Sequence, residues 1–251
     1  MIVDMPSTTV SKIGKRLQEL REAGGVVALG RVLTLIVETD LENLEAAVTA
    51  ANGASKLHPS RIIVLAKDQG KDGKDRLDAE IRVGGDAGAS EVVILKALGN
   101  AASNPESLVT GLMLPDAPVV AWWPSECSGD PSATALGEIA SRRITDASSQ
   151  PDPMAFLQQL ATNYSPGDGD MSWTRITLWR SQLAALFDSH GHRKVEKVTV
   201  YGALSSPSAH LLAAWLGQSL NAKTDVTEAL DGKTVQGIAG VVISFDSGEL
   251  S

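Results

Sequence analysis

"RVLTLIVETDLENLEAAVTAANGASKLHPSRIIVLAKD", residues 31–68, decides the fold. Its first segment is apolar and β-branched, as a buried strand requires. "DLENLEAAVTAANGAS" opens on Asp40 as a helix cap and continues at helical spacing, and "RIIVLAKD" returns to a compact apolar run. Strand, helix, strand at this spacing reads as a β-α-β crossover, the unit of a parallel sheet covered by helices.

Working outward, "STTVSKIGKRLQELREAGG" places Val10, Ile13, Leu17 and Leu20 on one helical face, and Gly24-Gly25 ends it. "RLDAEIRVGG" alternates with Leu77, Ala79, Ile81 and Val83 on one side, and "SEVVILKAL" follows the Gly-rich turn at 84–88. That pair predicts antiparallel additions to the sheet. "NPESLVTGLMLP", "DPSATALGEIA" and "DPMAFLQQLATNY" read as helices, while "APVVAWW" and "RRITDAS" read as strands. The predicted fold is therefore α/β, with a mixed sheet in an N-terminal domain over residues 1–165.

The turn-rich "SPGDGD", residues 165–170, marks the junction to a second, smaller α/β unit over 166–251. "WTRITLWRSQLAALFDSHG" puts Ile176, Trp179, Leu183 and Leu186 on one helical face. "KVEKVTVYGAL" is a strand, and Ser206 followed by Pro207 caps and opens the helix "SAHLLAAWLGQSLNA". Strands near "KTDVTEA" and "GIAGVVISFD" complete the unit.

Charge and composition exclude several functions. Twenty-two Lys and Arg against thirty Asp and Glu leave a net charge of −8, which opposes a nucleic-acid or anionic-membrane partner. The opening "MIVDMPSTTV" lacks the basic and apolar regions of a signal peptide, and no apolar run reaches membrane-spanning length, so the chain is expected to be cytoplasmic. One cysteine, Cys127, and four scattered histidines predict neither an internal disulfide nor a zinc cluster. No dinucleotide fingerprint, P-loop or nucleophile elbow is present, and no catalytic residues or cofactor are assigned.

The candidate binding residues are aromatic and cationic. Trp122 and Trp123 are neighbours at the end of a strand, so they face opposite sides of the sheet. One is expected in the core, and the other is expected to help build an exposed or cleft-lining surface. Trp173, Arg175, Trp179 and Arg180 form a second concentration, expected beside the first. On a continuous helix Arg175 and Trp179 are four residues apart and would stack as a cation–π pair. Trp and Arg dominate protein interfaces because rigid rings and planar guanidiniums make much contact for little lost entropy. His58 and Arg61 flank Pro59-Ser60 at the start of a strand, where they would reach the sheet edge. A competing reading, a small-molecule-binding or enzymatic α/β protein, joins these two with the Ser205-Ser206 helix start as an anion site.

"GRVLTLIV" (30–37), "HPSRIIVL" (58–65), "LPDAPVVAWWP" (114–124), "LGEIASRRITDAS" (136–148) and "WTRITLWR" (173–180) resemble, in this order, the glucose-6-phosphate dehydrogenase assembly protein family, OpcA. The resemblance implies a bacterial protein that is not itself an enzyme. It implies binding to glucose-6-phosphate dehydrogenase as an assembly factor or allosteric activator, in support of the pentose phosphate pathway and NADPH production. The chain ends soon after "VVISFD", which implies a C-terminal unit shortened relative to the family. Some relatives are linked to thiol-based redox control, and a lone Cys127 leaves no intramolecular disulfide for that.

Overall fold

A computed structural model describes residues 1–24, 30–68, 75–84, 91–190, 194–228, 237–245 and 248–250. By its internal packing the chain forms two compact units. The first comprises Met1–Thr145 and Tyr164–Gly169, and the second comprises Asp146–Asn163 and Asp170–Ser251. The chain thus passes from one to the other three times.

The first unit is built on an eight-stranded mixed sheet. Its strands are β1 (Ile2–Met5), β2 (Leu33–Asp40), β3 (Ser60–Asp68), β4 (Arg76–Arg82), β5 (Glu91–Leu98), β6 (Val119–Trp122), β7 (Arg142–Thr145) and β8 (Asp168–Asp170), in the order β1-β4-β5-β3-β2-β6-β7-β8. β5, β3, β2, β6 and β7 run parallel. β4 is antiparallel to β5, and β1 is antiparallel to β4. The sequence reading of β4 and β5 as an antiparallel pair holds for their mutual contact. β5 itself, however, joins the sheet parallel to β3, because its uninterrupted apolar run suits a central strand buried on both faces. The turn at 84–88 lies outside the described residues beyond Gly84.

Helix α1 (Val10–Gly24) lays Ile13 and Leu17 on one face of this sheet, with Ile36, Ile63, Leu65, Val93, Leu95 and Trp123. Helix α2 (Leu44–Ser55) lays Leu44, Ala47, Val48 and Ala51 on the other, against Val37, Ile62, Val64 and Ile94. Odd and even positions of β2 and β3 therefore serve two separate cores, which is why both strands read as continuous apolar runs. Asp40 is not the cap of α2, since the helix begins only at Leu44. Its carboxylate instead accepts the Asn43 backbone N–H and the Asn43 amide, each at 2.8 Å, and closes the turn before the helix.

Helix α3 (Pro105–Thr110) follows β5, and the short helix α4 (Ala135–Glu138) is capped by the Thr134 hydroxyl. Beyond β7 the chain enters the second unit as helix α5 (Pro153–Thr162), capped by Asp152, and returns at Tyr164 to contribute the lead-in to β8. Gly167 makes this return, with φ of +102° and a position where a Cβ would lie 2.7 Å from the Ser141 carbonyl oxygen. Its own carbonyl accepts the Arg143 N–H at 2.9 Å.

The second unit contains α6 (Met171–Arg175), α7 (Thr177–His190), β9 (Val195–Gly202), α8 (Pro207–Leu220), β10 (Lys223–Thr227), β11 (Ile238–Phe245) and β12 (Gly248–Leu250). The sheet order is β10-β9-β11-β12. β9 and β10 are parallel across the α8 crossover, and β11 is antiparallel to both of its neighbours. Ser206 caps α8 through the Ala209 N–H, with Pro207 in the first turn. The core is one cluster on one sheet face, including Ile176, Leu183, Val198, Val200, Leu212, Leu216 and Ile243. Phe187 meets Phe245 edge to face at 6.4 Å.

Candidate partner-binding surface

Trp173, Arg175, Leu178 and Arg180 stand on one bent helical segment. Asp170 starts it: one carboxylate oxygen accepts the Ser172 N–H and the other accepts the Ala147 N–H, each at 2.8 Å. The buried Ser172 carbonyl accepts the Ser208 hydroxyl at 3.1 Å, which fastens α6 to α8. At Ile176 the backbone leaves the helical range (φ −88°, ψ 4°) while its side chain is fully buried in the core. The segment is therefore two helices hinged on one apolar residue.

That joint changes which side chains meet. The expected stack of Arg175 on Trp179 does not form. Arg180 instead lies over the Trp173 ring with its guanidinium carbon 4.0 Å from the ring centroid, and Arg175 forms a two-pronged ion pair with Asp146 at 2.7 and 2.6 Å. The hydrogen bonds from Arg175 to the Asp146 carboxylate hold its guanidinium above its ordinary pKa, against the opposing effect of burial. Trp179 turns inward and packs on the core of the unit. Arg180 is also tied to the Thr177 hydroxyl at 3.3 Å. The result is a stacked Trp–Arg platform with Trp173 40% exposed and Leu178, on the next turn, 74% exposed.

The other expected residues lie in the first unit. Trp123 is buried, packs in the α1-side core and donates its indole N–H to Glu38 at 3.1 Å. Glu38 is in turn ion-paired to Lys67. Trp122 points to the opposite face, as neighbours on a strand must, and is half-buried against the α2-side core with its indole N–H sealed from solvent. Both rings pack, and neither forms the exposed platform. β2 and β6 are the adjacent strands at which the chain order along the sheet reverses, and Trp122 ends β6 there.

Arg61 is not at an accessible sheet edge. It is 4% exposed and bound to Glu91, because the position inside β3 that it occupies is covered on both sides. His58 is exposed on the turn before β3, and Ser205-Ser206 belong to the second unit, so the proposed anion site of His58, Arg61 and these serines is not assembled within either unit. Cys127 packs at the margin of the α1-side core. Among the described residues no group of three His, Cys, Asp or Glu side chains could hold a metal ion, and no helix is long and apolar enough to cross a membrane.

Sequence reasoning reached Trp173 and Arg180 singly but missed their pairing. No Gly or Pro announces the break at Ile176, and only Asp170, a capping residue just ahead of Met171, signals that a helix starts late enough to be short.

Residues 51–162 match the family described as the N-terminal domain of the glucose-6-phosphate dehydrogenase subunit, and residues 166–250 match the family described as its C-terminal domain. No curated protein and no solved structure matches the chain. The Trp173–Arg180 platform lies inside the second match.

Proposed function

This chain belongs to the OpcA glucose-6-phosphate dehydrogenase assembly protein family, and from that premise we propose that it acts as a non-catalytic partner of glucose-6-phosphate dehydrogenase, binding the enzyme and raising its activity or its oligomeric order. The observation that carries this reading is the platform of Trp173 and Arg180. A large ring is left exposed although stacking and helix caps hold it rigid. Rigidity lowers the entropy lost on binding, and Trp and Arg are the side chains on which interface energy concentrates. Leu178 extends the apolar area, and Arg175, already neutralised by Asp146, adds donors without an isolated charge. The complementary surface is an apolar pocket with acceptor groups at its rim.

The test is to mix the full chain with purified glucose-6-phosphate dehydrogenase and follow complex size by light scattering together with NADPH production. Co-elution and a change in activity or oligomer size support the reading. Separate elution at micromolar concentrations with unchanged turnover sinks it. Leu178→Glu, which places a charge on the exposed apolar area without touching the core, should abolish the effect if this surface is the one used.

A further inference from the structure

Arg21 in the last turn of α1, Arg31 just ahead of β2 and Arg61 at the start of β3 converge on one carboxylate, that of Glu91 at the start of β5. Glu91 pairs with Arg61 across the parallel ladder. The carboxylate is 1% exposed. It accepts Arg21 through both oxygens (3.3 and 3.0 Å) and the Nε–H of Arg61 at 2.8 Å. Arg61 spends a further N–H on the Leu112 carbonyl at 2.6 Å.

The donors left over are informative. Arg31 approaches Glu91 only to 3.7 Å and makes no hydrogen bond among the described residues, and its Nε–H is sealed from solvent. Nη2 of Arg61 is buried and lies 2.8 Å from the carboxylate, as part of the Arg61–Glu91 ion pair. Three guanidiniums against one carboxylate leave an excess of two positive charges among the described residues, with the Arg61–Glu91 pair buried and Arg21 and Arg31 partly facing solvent above it. The buried part of such a cluster normally holds balanced pairs. The same unit contains a structural arginine for comparison. Arg143 has Asp168 to itself and spends its other N–H groups on the carbonyls of Gly137, Ala140 and Pro166. Charge and donors are matched there, and around Glu91 they are not.

We infer that Arg21, Arg31 and Arg61 form a receptor for a phosphate-type dianion, held by the solvent-facing N–H groups of Arg21 and Arg31 above the buried Arg61–Glu91 pair. A doubly charged tetrahedral oxyanion cancels the excess, and planar guanidinium forks match its oxygens. Glu91 orients the three arginines. The inference does not depend on the dehydrogenase reading and survives its failure.

The test uses the full chain in phosphate-free buffer, titrated with inorganic phosphate by calorimetry and ³¹P NMR, with methyl phosphate in parallel. Saturable binding of one phosphate per chain is expected. Arg31→Gln and Arg21→Gln should each weaken it about ten-fold or more. Arg16→Gln, on the same helix as Arg21 but paired on the surface with Glu19, should leave it unchanged. Tighter binding of methyl phosphate marks an esterified ligand and tighter binding of phosphate a free one, and either result supports the receptor. Non-saturating binding, or equal weakening by Arg16→Gln, means an adventitious ion only and overturns the proposal. Arg31 is partly solvent-facing, so a folded Arg31→Gln variant with unweakened phosphate binding overturns it as well.

Discussion

The two units treat the same kind of residue in opposite ways. In the first, Trp123 is buried in the core on one face of a parallel sheet and Trp122 lies half-buried against the core on the other. In the second, whose sheet has its core on one face, Trp179 turns inward while Trp173 is held out under Arg180. A parallel sheet covered by helices leaves its aromatic side chains nowhere to go but inward. A bent helix at the margin of a one-sided core can show a ring to solvent. Aromatic content alone therefore does not decide which rings reach solvent, whereas the number of covered faces does.

The largest effect that would sharpen this contrast is on stability. Trp123→Ala should cost about 3–5 kcal/mol, from the lost core volume and the stranded Glu38 acceptor. Chemical denaturation measures it, and a loss under about 1 kcal/mol would show that the first unit does not depend on its buried ring. Trp173→Ala is the converse. Stability should stay within about 0.5 kcal/mol, while affinity for glucose-6-phosphate dehydrogenase should fall by about 2 kcal/mol, roughly thirty-fold. Calorimetry of the mixed proteins reads this, and equal affinity of variant and wild type would break the comparison. Asp146→Asn removes one half of the Arg175 ion pair, which is exposed on the arginine side. Thermal unfolding should register less than about 1 kcal/mol, with a loosened α6 visible as faster amide exchange at 171–175.

Acid should produce the smallest difference. In the first unit the hydrogen bond from Arg82 holds Glu45 below the ordinary carboxylate range. Asp40 is held low as well, where the bonds from Asn43 outweigh the upward push of burial. Groups with depressed values stabilise the fold above the unfolded-state pKa, near about 4, and lose that contribution as pH falls through the folded value. In the second unit the resolved shifts are upward, on Arg175 beside Asp146 and on Lys197 beside Asp225, and this contribution is lost as pH rises through the folded values. Between pH 6 and 3.5, amide signals of α2 should therefore weaken before those of α8. The margin is a few tenths of a kcal/mol at most, because Glu45 is largely solvent-screened. Simultaneous loss would refute the assignment.

The β2-α2-β3 crossover was readable because its information is local, in apolar periodicity over forty residues. The cap at Ser206 was readable for the same reason. The stack of Arg180 on Trp173 was not, because it depends on a helix break set by burial of Ile176 rather than by a breaker residue. The surroundings of Arg61 were not readable either. Its partner Glu91 is thirty residues away, and the one local hint was a carboxylate heading an otherwise apolar run. The return of Tyr164–Gly169 to the first sheet is held by the Arg143–Asp168 pair, a contact that no pattern in "SPGDGD" foretells.

That return also fixes an order of events on the ribosome. The eighth strand of the first sheet is not synthesised until residues 146–163, which belong to the second unit, have already been made. Arg143 therefore waits for Asp168 while a stretch of foreign chain is made between them. A polypeptide released at residue 165 would carry a surplus helix and a guanidinium without its counter-ion. A gene cut after residue 165 would therefore part Arg143 from Asp168 and the eighth strand from its sheet.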